Sequence, residues 1–178
     1  MSNVVPIIKK ILEFRQGGTV IDIGAGFGHH SIFLAEHGFE VTSLDTDAEA
    51  VENLAKEAKE KGLSVSAMVG DVRNISELKG QWDIVICTFV LHFLQDAEVE
   101  KAVKDLKAIT KSGGLNVIAA HTTENNEEEK ARKPHLFQPN ELKELYADWR
   151  WSITGRGLEN HFLGGGPGRL LKNIAQTY

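Results

Sequence analysis

Short runs that are largely apolar on both faces alternate in this chain with segments that are apolar on one face only. Thr19–Ile23 (TVIDI), Glu40–Leu44 (EVTSL), Ser64–Val69, Trp82–Thr88 (WDIVICT) and Leu115–Ala120 read as strands. Between them, Gly28–His37 reads as a helix stopped by Gly38. Thr46 and Glu49 form a capping box that opens a helix to Lys61, with Val51, Leu54, Ala55 and Ala58 on one face. Asp96–Ile109 is amphipathic through Val99, Ala102, Val103, Leu106 and Ile109. A strand buried on both faces needs cover on both, and intervening helices supply it. The alternation therefore implies an α/β fold with a doubly wound, mostly parallel sheet.

After Ala120 the period changes. Thr122–Lys133 is polar and charged, and Pro139 suits the first turn of a short helix to Tyr146. Two strand-like pieces, Trp149–Thr154 and Arg169–Thr177, are joined by the glycine-rich Gly164–Gly168, which predicts an antiparallel hairpin at the sheet edge. No linker or repeat interrupts the 178 residues, so a single domain is expected. No apolar run approaches the roughly 18 residues of a membrane span. Met1–Lys10 lacks a signal-peptide layout, and one cysteine, Cys87, cannot form an intrachain disulfide; a cytoplasmic location is the expectation. The net charge of −5 argues against a dedicated nucleic-acid binder. From Trp149 onward, however, Arg150, Arg156, Arg169 and Lys172 face only Glu159, a cationic excess suited to a small anion.

Between the first strand and helix stands Asp22-Ile23-Gly24-Ala25-Gly26-Phe27-Gly28. Glycines at such a turn let backbone approach a ligand, and the helix start offers free N–H groups. The spacing is G-x-G-x-G; a dinucleotide loop, G-x-G-x-x-G, would need glycine where His29 stands. Asp45 ends the second strand, where a carboxylate can accept from ribose hydroxyls; the alternative role is a local cap. Asp71, in Gly70-Asp71-Val72, can accept from an adenine amino group with Val72 packed on the ring, or be an ordinary turn aspartate. All three features lie where open parallel sheets bind ligands.

These residues resemble the class I S-adenosylmethionine-dependent methyltransferases. VIDIGAGFG matches their first motif, Asp45 their ribose-binding acid, Gly70-Asp71-Val72 their adenine-side motif, and DIVICTFVLHFL their fourth strand and following loop. The chain is similar in particular to the small tellurite-resistance methyltransferase branch, through Thr88–Leu94, Phe137–Leu142, Trp149 and Glu159-Asn160-His161. The likeness stops at Phe162-Leu163-Gly164-Gly165-Gly166, where that branch carries a charged segment. The resemblance implies a seven-stranded sheet with a C-terminal antiparallel hairpin. It divides the domain into an N-terminal helix (1–17), a cofactor-binding part (18–120) and an acceptor-side loop, helix and hairpin (121–178). S-adenosyl-L-methionine is the implied cofactor, held by Asp22, Gly24, Ala25, Gly26, Gly28, Asp45, Thr46, Gly70, Asp71, Val72 and Thr88.

Methyl transfer to a soft lone pair on sulfur, selenium or tellurium needs no general base; orientation alone is worth roughly 7–11 kcal/mol. The expected acceptor is a small molecule, with a tellurium or selenium oxyanion or another soft nucleophile as candidates. His92, His161 and Arg169 are the acceptor-side candidates, the last two as an anion site. Phe89, Phe93, Phe137 and Trp149 are candidates for an aromatic acceptor wall or for the core. The histidine spacings offer no zinc set, and neither a nucleic-acid nor a membrane partner is expected. Two alternatives stand beside this reading: a non-catalytic S-adenosylmethionine-binding regulatory module and a nicotinamide-dependent oxidoreductase.

Overall fold

The structure, a computed structural model, describes residues 4–122, 134–138, 140–153 and 159–165, with backbone alone for 151–153 and 159–165. Helix α1 (Pro6–Phe14) starts on a proline and buries Ile7, Ile8 and Ile11. Then follow β1 (Gly18–Ile23), α2 (His29–Glu36), β2 (Phe39–Asp45), α3 (Ala48–Glu60) and β3 (Val65–Val69). A 3₁₀ turn over Val72–Glu77 leads to β4 (Trp82–Thr88). Next come a second 3₁₀ turn (Leu91–Phe93), α4 (Asp96–Ala108), β5 (Thr110–His121), α5 (Glu141–Leu145), β6 (Arg150–Ile153) and β7 (Glu159–Gly165).

Strands β3, β2, β1, β4 and β5 lie side by side in that order, and all are parallel. The chain leaves β1 toward β2 on one side and returns to β4 on the other, so the order reverses between β1 and β4. Beyond β5 the backbone of β7 runs antiparallel to it, with Ala119 opposite His161, and β6 runs antiparallel to β7. One sheet face packs Val20, Val41, Ile84, Ile86 and Val117 against α1 and α2. The other packs Ile21, Val85, Cys87 and Ile118 against α4 and α5. Complete burial of one such side chain is worth about 1.5–3 kcal/mol. Cys87 is among them, and burial pushes its thiol pKa far up, which makes it an inert core residue.

Several boundaries differ from the expectation. The N-cap of α3 is Asp47, whose carboxylate accepts from the Glu49 and Ala50 N–H groups; Thr46 is not the cap and stays outside the helix. Helix α2 begins at His29, with Gly28 as its left-handed N-cap. Strand β5 starts five residues early, at Thr110, and absorbs Gly113 and Gly114 through an irregularity opposite Trp82 and Ile84. The strand pairing with β5 near the C-terminus is Glu159–Gly165, so Gly164 and Gly165 belong to it and do not form the turn. The expected limb Arg169–Thr177 lies outside the described residues, as do Pro139 and 123–133.

Two polar anchors hold this frame. At the N-terminal edge, Asp83 Oδ2 accepts from the Thr19 N–H (2.9 Å), the Thr19 hydroxyl (2.8 Å) and Lys111 Nζ (2.9 Å), tying β4 to β1 and β5. Partial burial opposes ionisation of Asp83, but these hydrogen bonds and the Lys111 charge outweigh it and hold the pKa at about 2. Inside the core, the Tyr146 hydroxyl donates to Asn116 Oδ1 (2.8 Å), seating α5 on β5.

Two outcomes follow. Tyr146→Phe leaves a buried acceptor unpaired and should lower the unfolding free energy by about 1–2 kcal/mol in urea titrations; an unchanged midpoint would remove this anchor from the account. Asp83 ionises more readily folded than unfolded, so its contribution is present above pH 3.8 and is lost as pH falls toward about 2. Asp83→Asn should therefore flatten that limb of the stability profile, read as urea midpoint against pH.

Candidate cofactor cleft

The C-terminal ends of β1 and β4 part at the order reversal, which is where open α/β sheets take ligands. A cleft of about 300 Å³ opens there, lined by Gly24, Asp45, Thr46, Gly70, Asp71, Val72, Arg73, Phe89 and Phe93 among others. A larger cavity of about 810 Å³ lies elsewhere, between α4, α5 and Pro134–Gln138, and contains none of the predicted site residues.

The glycines of the loop have separate duties. A Cβ on Gly24 would stand 2.1 Å from Val90 Cγ2, and one on Gly28 would stand 2.2 Å from Leu54 Cδ1; their smallness is demanded by packing. A Cβ on Gly26 would meet nothing within 4 Å, so this glycine faces open space and suits close approach by a ligand. All three have positive φ. The loop is held by β2: Gly24 and Ala25 donate N–H bonds to Leu44 O (2.7 and 3.1 Å), and Gly26 N–H donates to Asp45 Oδ2 (2.7 Å). Asp45 Oδ1 accepts from Asp47 N–H (2.9 Å). Asp45 thus serves as both a local anchor and a cleft wall.

Asp71 caps the following 3₁₀ turn through Arg73 N–H (2.8 Å), while its other oxygen pairs with Arg73 Nη1 (2.8 Å). Arg73 also binds Glu98, the capping-box acid of α4. Gly70 lines the cleft, yet a Cβ there would stand 2.4 Å from Leu44 Cδ1, so packing fixes its identity. Val72 is buried at the cleft wall and Thr46 is exposed there.

Asp22 lies beneath the loop, fully buried. Its Oδ2 accepts from Ser31 Oγ (2.7 Å), which in turn accepts from Ser43 Oγ (2.8 Å). Asp22 Oδ1 has no partner among the described residues. Burial raises the Asp22 pKa, partly offset by His30; burial likewise lowers that of His30, partly offset by Asp22. His30 Nδ1 lies 3.4 Å from Thr88 Oγ1, at the end of β4, and its Nε2 lies 3.5 Å from the Val5 N–H.

Past Thr88, Phe89 holds a left-handed backbone (φ 59°), a cost of order 1–3 kcal/mol for a bulky residue. Its ring stands 5.3 Å from that of His121, which is 4.6 Å from His92, which is 4.3 Å from Phe93. His92 is buried in this cluster and does not line the cleft. Phe137 and Trp149 belong to the core, correcting their candidacy for an acceptor wall. His161 is placed by backbone register opposite Ala119, its side chain outside the description; Arg169 lies outside the described residues. The packing of Val90 on Gly24 and the Ser43–Ser31–Asp22 relay were missed because they join residues apart in the chain; the hold of Arg73 on Asp71, two residues away, was a local signal that went unread.

The sheet order and cleft define the class I methyltransferase fold. The chain superposes on magnesium protoporphyrin IX methyltransferase from Synechocystis with bound S-adenosylhomocysteine (TM-score 0.71, 18% identity, 90% of this chain and 80% of that one). It matches the crystal structure of TehB from Haemophilus influenzae with TM-score 0.78 at 22% identity, over 93% of this chain and 62% of that one. The family model described as tellurite resistance protein TehB matches residues 2–154, and the chain belongs to that family. A probable S-adenosyl-L-methionine-dependent methyltransferase TehB of Haemophilus influenzae is 30% identical over 132 residues, 74% of this chain; the match spans just 46% of that relative's length.

The division of labour among the glycines is open to test. Gly26→Ala should cost only its backbone strain, about 1–2 kcal/mol. Gly28→Ala adds overpacking against Leu54, a further 1–3 kcal/mol or so. Equal losses in urea titrations would contradict this assignment.

Proposed function

We propose that this chain is an S-adenosylmethionine-dependent methyltransferase acting on a small soft nucleophile. The observation that carries the reading is the cleft at the β1/β4 reversal, lined by Gly24, Asp45 and Asp71, with the open Gly26 bonded to Asp45 beside it, in a chain of the TehB family. The residues fit the cofactor. Gly26 leaves room for close approach, Asp45 has lone pairs left for ribose hydroxyls, and Asp22 Oδ1 needs a donor such as an ammonium. Asp71 and Val72 stand ready for an adenine amino group and ring face, with Gly24, Ala25, Gly28, Thr46, Gly70 and Thr88 completing the cradle.

The cofactor supplies an electrophilic methyl group on a sulfonium. An acceptor lone pair would take that methyl while the electron pair of the broken bond stayed on sulfur, leaving a neutral thioether. This chain's part is to orient the two reactants and exclude water, which for a soft nucleophile suffices without a base. A tellurium or selenium oxyanion, or a related anion, suits the cationic excess after Trp149, with His161 and Arg169 as its holders and His92 behind the site. The antiparallel β7 and β6 act as the hairpin that completes a seven-stranded sheet on the acceptor side of a single domain working in the cytoplasm. An intact cofactor site without an acceptor site would make the chain a regulatory module instead; cofactor binding with no turnover on any soft acceptor is its mark.

S-adenosylhomocysteine should bind in calorimetry. Asp45→Ala should weaken it tenfold or more, the loss of about 1.5–3 kcal/mol from a charge-assisted hydrogen bond. Gly26→Val should abolish it while the far-ultraviolet circular dichroism stays near native. Wild-type affinity in both variants would refute this placement of the cofactor.

A further inference from the structure

The cleft uses the ends of β3, β2, β1 and β4, and Phe89 stands on its β4 side. The next strand outward is β5, ending at His121, whose ring backs that of Phe89 at 5.3 Å. Phe89 is therefore the partition between the cofactor cleft and the β5 side of the sheet edge. Its position is imposed: φ is 59°, a region that bulky residues avoid, and its N–H donates to Ala119 O at 2.7 Å, pinning the strained residue to β5. Phe93, more than half exposed, lines the same cleft and stacks on His92, which in turn meets His121 edge-on at 4.6 Å. Phe89 and Phe93 line the cleft, and the His121 and His92 rings back them. Strain of this kind persists where surrounding structure overrides it, characteristically at sites that hold a ligand.

The geometry points to Phe89 as the residue that determines acceptor specificity, with His121 as the positioning residue that holds its ring. The inference rests on the methyltransferase reading and deepens it. The acceptor class is that of the proposed function, a soft nucleophile such as a thiolate or its selenium or tellurium counterpart, and the Phe89 ring bounds its size on the β5 side. A hard hydroxyl acceptor would need a base beside it.

The test compares two thiols of different bulk, benzenethiol and 2-naphthalenethiol, with S-adenosylhomocysteine formation as the readout. Phe89→Gly relieves the backbone while removing the ring, so its melting temperature serves as the fold control. It should raise the kcat/KM ratio of the bulky to the small thiol at least tenfold, at saturating S-adenosylmethionine. His121→Ala should move the ratio the same way through KM, and His121→Phe, which restores a ring, should return it. An unmoved ratio in Phe89→Gly overturns the specificity role; a moved ratio there with an unmoved one in His121→Ala overturns the positioning role. Cofactor binding without wild-type turnover of either thiol overturns the soft-acceptor class and leaves the cofactor reading standing. Failure to bind S-adenosylhomocysteine overturns both.

Discussion

The last two residues of β2 hold the glycine loop. Leu44 offers one carbonyl to two successive N–H groups, those of Gly24 and Ala25, and Asp45 offers a carboxylate oxygen to a third, that of Gly26. A loop of glycines is costly to order, because glycine loses the most conformational freedom on folding. Three hydrogen bonds from a neighbouring strand offset that cost and make the loop one shape. The parallel register of β1 on β2, Ile23 beside Leu44, places those acceptors under the loop. The cleft therefore depends on sheet register, and the Asp83 cluster at the opposite edge helps to set the position of β1 relative to β4.

Much of this was legible in the sequence because it is local. Five strands and the covering helices follow from hydrophobic periodicity, and the glycine loop followed by Asp45 and Asp71 at successive strand ends marks the residues that line one cleft. What was not legible depends on tertiary neighbours. Nothing near Gly28 in the chain shows that Leu54 occupies the space of its missing side chain, and nothing near Gly70 shows Leu44 doing the same. Thr46 and Asp47 are both good caps by type; the backbone chose Asp47, leaving Thr46 at the cleft. Phe137 and Phe89 look alike as isolated aromatics, yet one is wholly buried in the core and the other lines the cleft. Gly164 and Gly165 read as turn residues but pair as a strand, since ladder hydrogen bonds require no side chain.

Two departures from local preference stand at or beneath the cleft, while Asn140, with φ 71°, stands apart from it. Phe89 adopts a backbone that its side chain disfavours, and Asp22, fully buried, leaves an oxygen unpaired among the described residues. Both are penalties, each of order 1–3 kcal/mol, in a structure whose total stability is of order 10 kcal/mol. By contrast the polar groups of the supporting frame, such as Asn116 with Tyr146 and Asp83 with Thr19, are paired.

The charges around the cleft are arranged with the same economy. Asp71 is already engaged by Arg73, and Asp45 by the N–H groups of Gly26 and Asp47, so neither needs to reorganise when a ligand arrives. Both stand at the β3 and β2 ends, away from Phe89 on β4. Methyl transfer removes the positive charge from sulfur, so a carboxylate beside that sulfur would stabilise the reactant more than the transition state, and would slow the step. Ring faces attract a sulfonium more weakly than an anion does and tolerate its discharge. On the proposed placement of the cofactor, carboxylates would stand at the nucleoside end and aromatic rings at the β4–β5 end, a distribution suited to a cationic donor that must not be trapped.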